Sequence, residues 1–93
     1  MPRIKCHRFI ESDPKINYFK PRGIPMKFLE EVNLEIDEFE AIRLKNYEGL
    51  YQEKAAEKMK VSRQTFGRIL ELANKKIADA MINGKAIRID NKQ

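Results

Sequence analysis

Between Val61 and Arg68 the chain reads Val-Ser-Arg-Gln-Thr-Phe-Gly-Arg, a run whose polar side chains all have a use against a nucleic acid. An arginine can make paired hydrogen bonds to a guanine edge and a glutamine to an adenine edge. Arg63, Gln64, Thr65 and Arg68 are therefore the candidate base readers, Thr65 offering both a hydroxyl and a methyl group. Ser62 is placed to cap a helix, and the free amides beside it suit a phosphate, because the helix dipole favours an anion there. Lys54, Lys58 and Lys60 supply charge for holding the phosphate backbone, and Arg3, Lys5 and Arg8 near the N-terminus add to it.

Side chains of this kind read a groove only if a helix tip projects them, which dictates the elements around them. The expected architecture is mainly α: a three-helix, helix-turn-helix core with short β-strands from an N-terminal arm and a C-terminal tail. The first helix is expected from about Glu38 to Tyr47, with Asp37 and Glu40 spaced as a capping box and Gly49 as its stop. A second helix is expected from Gln52 to Met59, with Ala56 small enough to let the next helix approach. Lys60 and Val61 form the corner, Val61 plugging it. Lys60 stands where a left-handed backbone is often needed, a conformation costly for any residue with a Cβ. Either it adopts that conformation with its ammonium toward a phosphate, or the turn differs in detail.

The third helix begins after Ser62 and carries Phe66, Ile69, Leu70, Ala73, Ile77, Ala80 and Met81 at helical spacing, so one face is expected to stay buried for about five turns. Gly84 supplies its stop. Gly67, which costs about 1 kcal/mol of helix stability relative to alanine, either permits close approach to DNA or has no bearing on the site. Val32–Ile36 and Lys85–Ile89 alternate as short strands, and the tail is expected to pair with Arg3–Ile10, within one chain or between two. Pro14, Pro21 and Pro25 exclude a long helix from the arm, which Tyr18, Phe19 and Ile24 are expected to pin. The whole is one domain: an arm over 1–30, the helical core over 31–84 and the tail over 85–93.

Charge is unevenly spread. Residues 1–25 carry six Lys/Arg against two acids, residues 26–50 three against seven, and residues 51–93 ten against five. An acidic middle between basic flanks points to one face meant for a polyanion. The carboxylates of Glu30, Glu31, Glu35, Asp37, Glu38 and Glu40 are read as a solvated surface turned away from DNA, and most aromatics as core. Cys6 is the only cysteine and His7 the only histidine. They exclude an internal disulfide and fall two ligands short of a tetrahedral zinc site, unless a second chain completes one. No metal or cofactor is expected. The residues offer no nucleophile–base set and no phosphate-cradling glycine loop, so the expectation is a protein without enzymatic activity. No apolar run approaches the length of a membrane span, and a cytoplasmic setting is expected.

From Leu34 to Ile77 the chain resembles the region-4 helix-turn-helix of bacterial sigma factors. Four further stretches carry a wider resemblance: Tyr18-Phe19-Lys20-Pro21-Arg22-Gly23-Ile24-Pro25, Asp37-Glu38-Phe39-Glu40-Ala41-Ile42-Arg43-Leu44, Val61-Ser62-Arg63-Gln64-Thr65-Phe66 and Asn83-Gly84-Lys85-Ala86. They resemble a family of small prokaryotic proteins, uncharacterised protein family 0251 or domain of unknown function 134, described only as predicted DNA-binding proteins. The sequence departs from that family's pattern at Tyr51, where Ser or Thr usually caps the second helix, at Lys60, where the turn glycine stands, and at Gly67, in place of a small polar residue. The resemblance implies a sigma-like domain. The function expected is sequence-specific binding of double-stranded DNA in transcription, as a homodimer. The alternative is a module that docks on RNA polymerase or other transcription proteins through the acidic stretch 30–40.

Overall fold

The structure, a computed structural model, describes residues 9–11, 14 and 16–90. Its elements run β1 (Tyr18–Phe19), β2 (Glu31–Glu35), α1 (Ile36–Ile42), a π-helical segment (Arg43–Tyr47), α2 (Gln52–Met59), α3 (Arg63–Asn83) and β3 (Ala86–Asp90), with a single 3-10 turn at Met26–Phe28. The chain is mostly helical, with three α-helices and one small three-stranded sheet among the described residues.

Two local signals set the long helix. The Ser62 hydroxyl accepts the Thr65 N–H at 3.0 Å and opens α3. At the other end Gly84 takes the left-handed conformation (φ 67°), which its missing Cβ makes inexpensive. The 21 residues between span roughly 31 Å, long enough to serve two cores. The N-terminal half packs Phe66 and Ile69 against Ala41, Leu44, Ala55, Ala56 and Met59, with Ile10, Leu50, Val61 and Leu70 at the rim. The C-terminal half lays Ala73 against Leu34 and Ile89, with Phe39, Ile42, Ile77 and Ile87 around them. Val61 thus takes the corner position expected of it, and Ala56 allows the close approach.

β3 is the middle strand. It runs parallel to β2, with Glu31 opposite Ala86 and Glu35 opposite Asp90, and antiparallel to β1, with Tyr18 opposite Arg88. The expected pairing of the tail with Arg3–Ile10 is therefore corrected. Residues 3–8 lie outside the described part of the chain, while Phe9 and Ile10 belong to the helical side. The Phe9 N–H donates to the Met59 carbonyl at 2.9 Å, and Ile10 packs on the first core. The tail follows instead the strand that leads into α1, a parallel pairing bridged by the helices.

The first helix also departs from expectation. β2 runs directly into α1, so Glu35 is still extended (ψ 160°) and is itself the N-cap, with Glu38 completing the capping box in place of Asp37 and Glu40. The Glu38 carboxylate accepts the Glu35 N–H at 2.8 Å. After Ile42 the helix widens, and the Glu48 N–H reaches the Arg43 carbonyl, five residues back, at 2.8 Å.

The acidic stretch is only in part a solvated surface: Glu30 and Glu31 are exposed as expected and Glu35 is half-buried, but Asp37, Glu38 and Glu40 are buried. Cations reach in to them. The Lys76 ammonium contacts the Glu38 carboxylate at 2.8 Å, and Arg43 grips the fully buried Glu40 with two bonds, Nε to Oε1 at 2.9 Å and Nη2 to Oε2 at 2.8 Å. Glu11 joins this group, its N–H donating to Glu40 Oε2 at 3.2 Å and its carboxylate meeting Arg43 at 3.0 Å. The hydrogen bond to Glu40 is the main reason the guanidinium binds its proton even more tightly than usual.

Most aromatics are not core. Phe66 is buried, but Phe9, Phe19, Phe28, Tyr47 and Tyr51 are exposed, as are Ile24 and Met81. Alanines at 41, 55, 56, 73, 80 and 86 fill much of the interior, and Phe66 is the one ring fully buried among the described residues. Met81 follows the buried Ala80 on α3 and turns outward. Of the three residues expected to pin the arm, Tyr18 does so, its hydroxyl donating to Glu31 at 2.6 Å.

Glu40→Gln should lower the unfolding free energy by about 3 kcal/mol, because it leaves Arg43 without its buried counter-charge. Replacing the pair together, Glu40→Leu with Arg43→Met, should recover much of that loss. Urea titration checks both, and a change under about 0.5 kcal/mol for Glu40→Gln would show that the pair does not hold this corner.

Candidate functional site

The candidate site is the corner between α2 and α3 and the first turns of α3. Its shape follows from Lys60, which closes α2 in the left-handed conformation (φ 58°, ψ 43°). Among the described residues it is the one non-glycine with positive φ. The Lys60 N–H donates to the Glu57 carbonyl and the Val61 N–H to the Ala56 carbonyl, so the helix end is satisfied and the chain turns within three residues.

Beyond the turn, one side of α3 is fixed by Phe66 and Ile69, and the other carries the candidate readers. Arg63, Gln64 and Arg68 are exposed, and among the described residues neither guanidinium is in an ion pair. Thr65 is half-buried; its N–H is held by Ser62, whose hydroxyl also donates to the Thr65 hydroxyl at 2.9 Å. Ser62 is thus engaged in capping while remaining exposed. The three lysines are exposed as well. Lys54 and Lys58 stand one turn apart on α2, Lys54 3.7 Å from Glu57 and Lys58 3.4 Å from Glu11, and the Lys60 ammonium lies 5.3 Å from the centre of the Phe9 ring. All are surface contacts of modest strength that a stronger anion can displace. Arg3, Lys5 and Arg8 lie outside the described residues, as do Cys6 and His7.

Gly67 has an explanation the sequence did not supply. A Cβ there would come within 2.9 Å of Gln52 Nε2. That amide donates to the Arg63 carbonyl at 3.3 Å and so spans from the start of α2 to the first turn of α3. The glycine makes room for Gln52, which orients the tip. Tyr51, the N-cap of α2, offers no side-chain hydrogen bond, in keeping with the departure noted there.

The family described as "Protein of unknown function DUF134" matches this chain across residues 1–92. The chain belongs to the DUF134 family. Its relatives carry the family name UPF0251. One from Caldanaerobacter subterraneus is 58% identical over 90 residues, which cover 97% of this chain and 76% of that protein. Another, from Thermoanaerobacter pseudethanolicus, is 56% identical with the same coverage. A third, from Caldicellulosiruptor bescii, is 58% identical over 91 residues, covering 97% of this chain and 62% of that protein. No solved structure matches the DUF134 chain. No helix among the described residues is long and apolar enough to cross a membrane.

Gly67→Ala should add about 1 kcal/mol of stability in a Gln52→Ala background, where only helix propensity acts. In the native background the gain should be smaller, since Gln52 must give up its place. Equal gains in both backgrounds, measured as a double-mutant cycle by chemical denaturation, would separate the two residues.

Proposed function

We propose that this DUF134 protein binds double-stranded DNA in a sequence-specific manner as a homodimer acting in transcription, with the first turns of α3 in the major groove. The observation that carries the reading is the tip of α3. A capped helix end projects past a three-residue corner, with Arg63, Gln64 and Arg68 exposed on it while Phe66 and Ile69 anchor its reverse side. Such a tip, leaning on a preceding helix, supports the reading as a sigma-region-4-like helix-turn-helix. Arg63 and Arg68 suit guanine edges and Gln64 an adenine edge, with Thr65 beside them. Ser62, Lys54, Lys58 and Lys60 suit the flanking phosphates, and Arg3, Lys5 and Arg8 are assigned to the same task from the sequence. The reading is of a binding protein, not an enzyme, with no cofactor.

The burial of Asp37, Glu38 and Glu40, at the end of the acidic stretch, weighs against the alternative of a module seated on RNA polymerase through residues 30–40, of which Glu30 and Glu31 are exposed.

Selection from random duplex DNA should enrich one motif, bound with a steep dependence on salt. Arg63→Ala and Arg68→Ala should each weaken binding to that motif by about 1–3 kcal/mol with little change in melting temperature. Variants that bind as the parent does would sink the assignment of roles. No enriched motif, with weak binding that fades as salt rises, would reduce the basic surface to a general attraction for polyanions.

A further inference from the structure

The C-terminal half of α3 leaves one face bare. Leu72 is 49% exposed and Ile82 79%, and with Ala78 they line a shallow, largely apolar groove. Lys75 and Asp79 stand between them. The steps from Leu72 to Lys75 to Asp79 to Ile82 are three, four and three, which stacks the four on a single stripe. Among the described residues Lys75 takes part in no ion pair. Asp79 accepts from Asn83 at 2.7 Å and from Lys85 at 3.1 Å, yet its side chain is 37% exposed. Those two bonds, Asn83's first, hold its carboxyl below the usual range, and an ionised carboxylate can accept more than two hydrogen bonds.

The stripe is complementary to itself. Leu72 and Ile82 are equidistant from position 77, and so are Lys75 and Asp79. One antiparallel register therefore sets apolar against apolar and cation against anion at the same time, the condition for a two-fold interface. We propose that this stripe is the interface with a second copy of the chain, an antiparallel pair of α3 helices with its axis beside position 77, in which Leu72 packs on the partner's Ile82 and Lys75 meets the partner's Asp79. Ala78, next to the axis, lets the helices close. In this register the partner's helix ends opposite Glu71, so the partner's α3 does not reach the tip from Arg63 to Arg68. The two tips stand about 36 Å apart along the pair, close to the roughly 34–36 Å between half-sites one turn apart on DNA.

The interface deepens the dimer in the function proposed above and rests on that part of it alone. Sedimentation equilibrium on the full chain tests it. Lys75→Glu and Asp79→Lys, each alone, should weaken dimerisation at least about tenfold, since each sets like charges together. An equimolar mixture of the two should form a heterodimer about as tight as the parent, because every charged pair is then opposite in sign. Leu72→Glu, which disturbs no bond within the chain, should be monomeric with an unchanged helical spectrum. A parent that is monomeric at all concentrations, or a mixture no tighter than its components, overturns the interface. Specific binding of monomers to a single half-site would leave the groove reading intact while removing the pair.

Discussion

The carboxylate of Glu40 sits where the first helix, its widened end and the N-terminal segment meet. Two short bonds bind it to Arg43, and a third brings in the backbone of Glu11. Because Glu40 has no exposed surface, its charge must be matched from within the chain, and that requirement draws the N-terminal segment onto the end of the first helix. Arg43 reaches on to Glu48 at 3.2 Å, and Glu11 to Lys58. A chain of charges thus runs from α1 through the N-terminal segment to the end of α2.

α3 does the remaining positioning. One uninterrupted helix takes its orientation from the sheet at one end and presents its polar tip at the other. The first core fixes which side of the tip faces inward, and Gln52 ties the tip to α2 through the space left by Gly67. The tip is therefore held from behind by packing and from the side by a hydrogen bond.

Much of this was legible in the sequence, and what was not has a common cause. The bounds of α3 followed from local signals, Ser62 at one end and Gly84 at the other, and the corner at Lys60 and Val61 from spacing alone. The strand after Glu30 showed as alternation. The partners did not show. Nothing near Glu38 announces that Lys76 will reach it from 38 residues away, nor near Glu40 that Glu11 will. The carboxylates consequently read as solvent-facing. The same holds for the sheet: β1 has two residues, too few for any periodic signal, and the tail's alternation gives its faces but not its neighbour. Gly67 was seen as unusual, yet its reason lies on another helix.

The order of the sheet has a consequence for how the chain acquires its shape. Residues opposite each other in β2 and β3, such as Glu31 and Ala86, are 55 positions apart, and β1 has no pairing in the sheet except with β3. All three helices leave the ribosome before the strand that closes the sheet exists. The helical corner can gather early from contacts near in sequence, whereas the second core must wait for Ile89, a long loop closure that is entropically slow. During synthesis the half of the molecule with the candidate readers is thus ready to form first, and the half that steadies the far end of α3 arrives last.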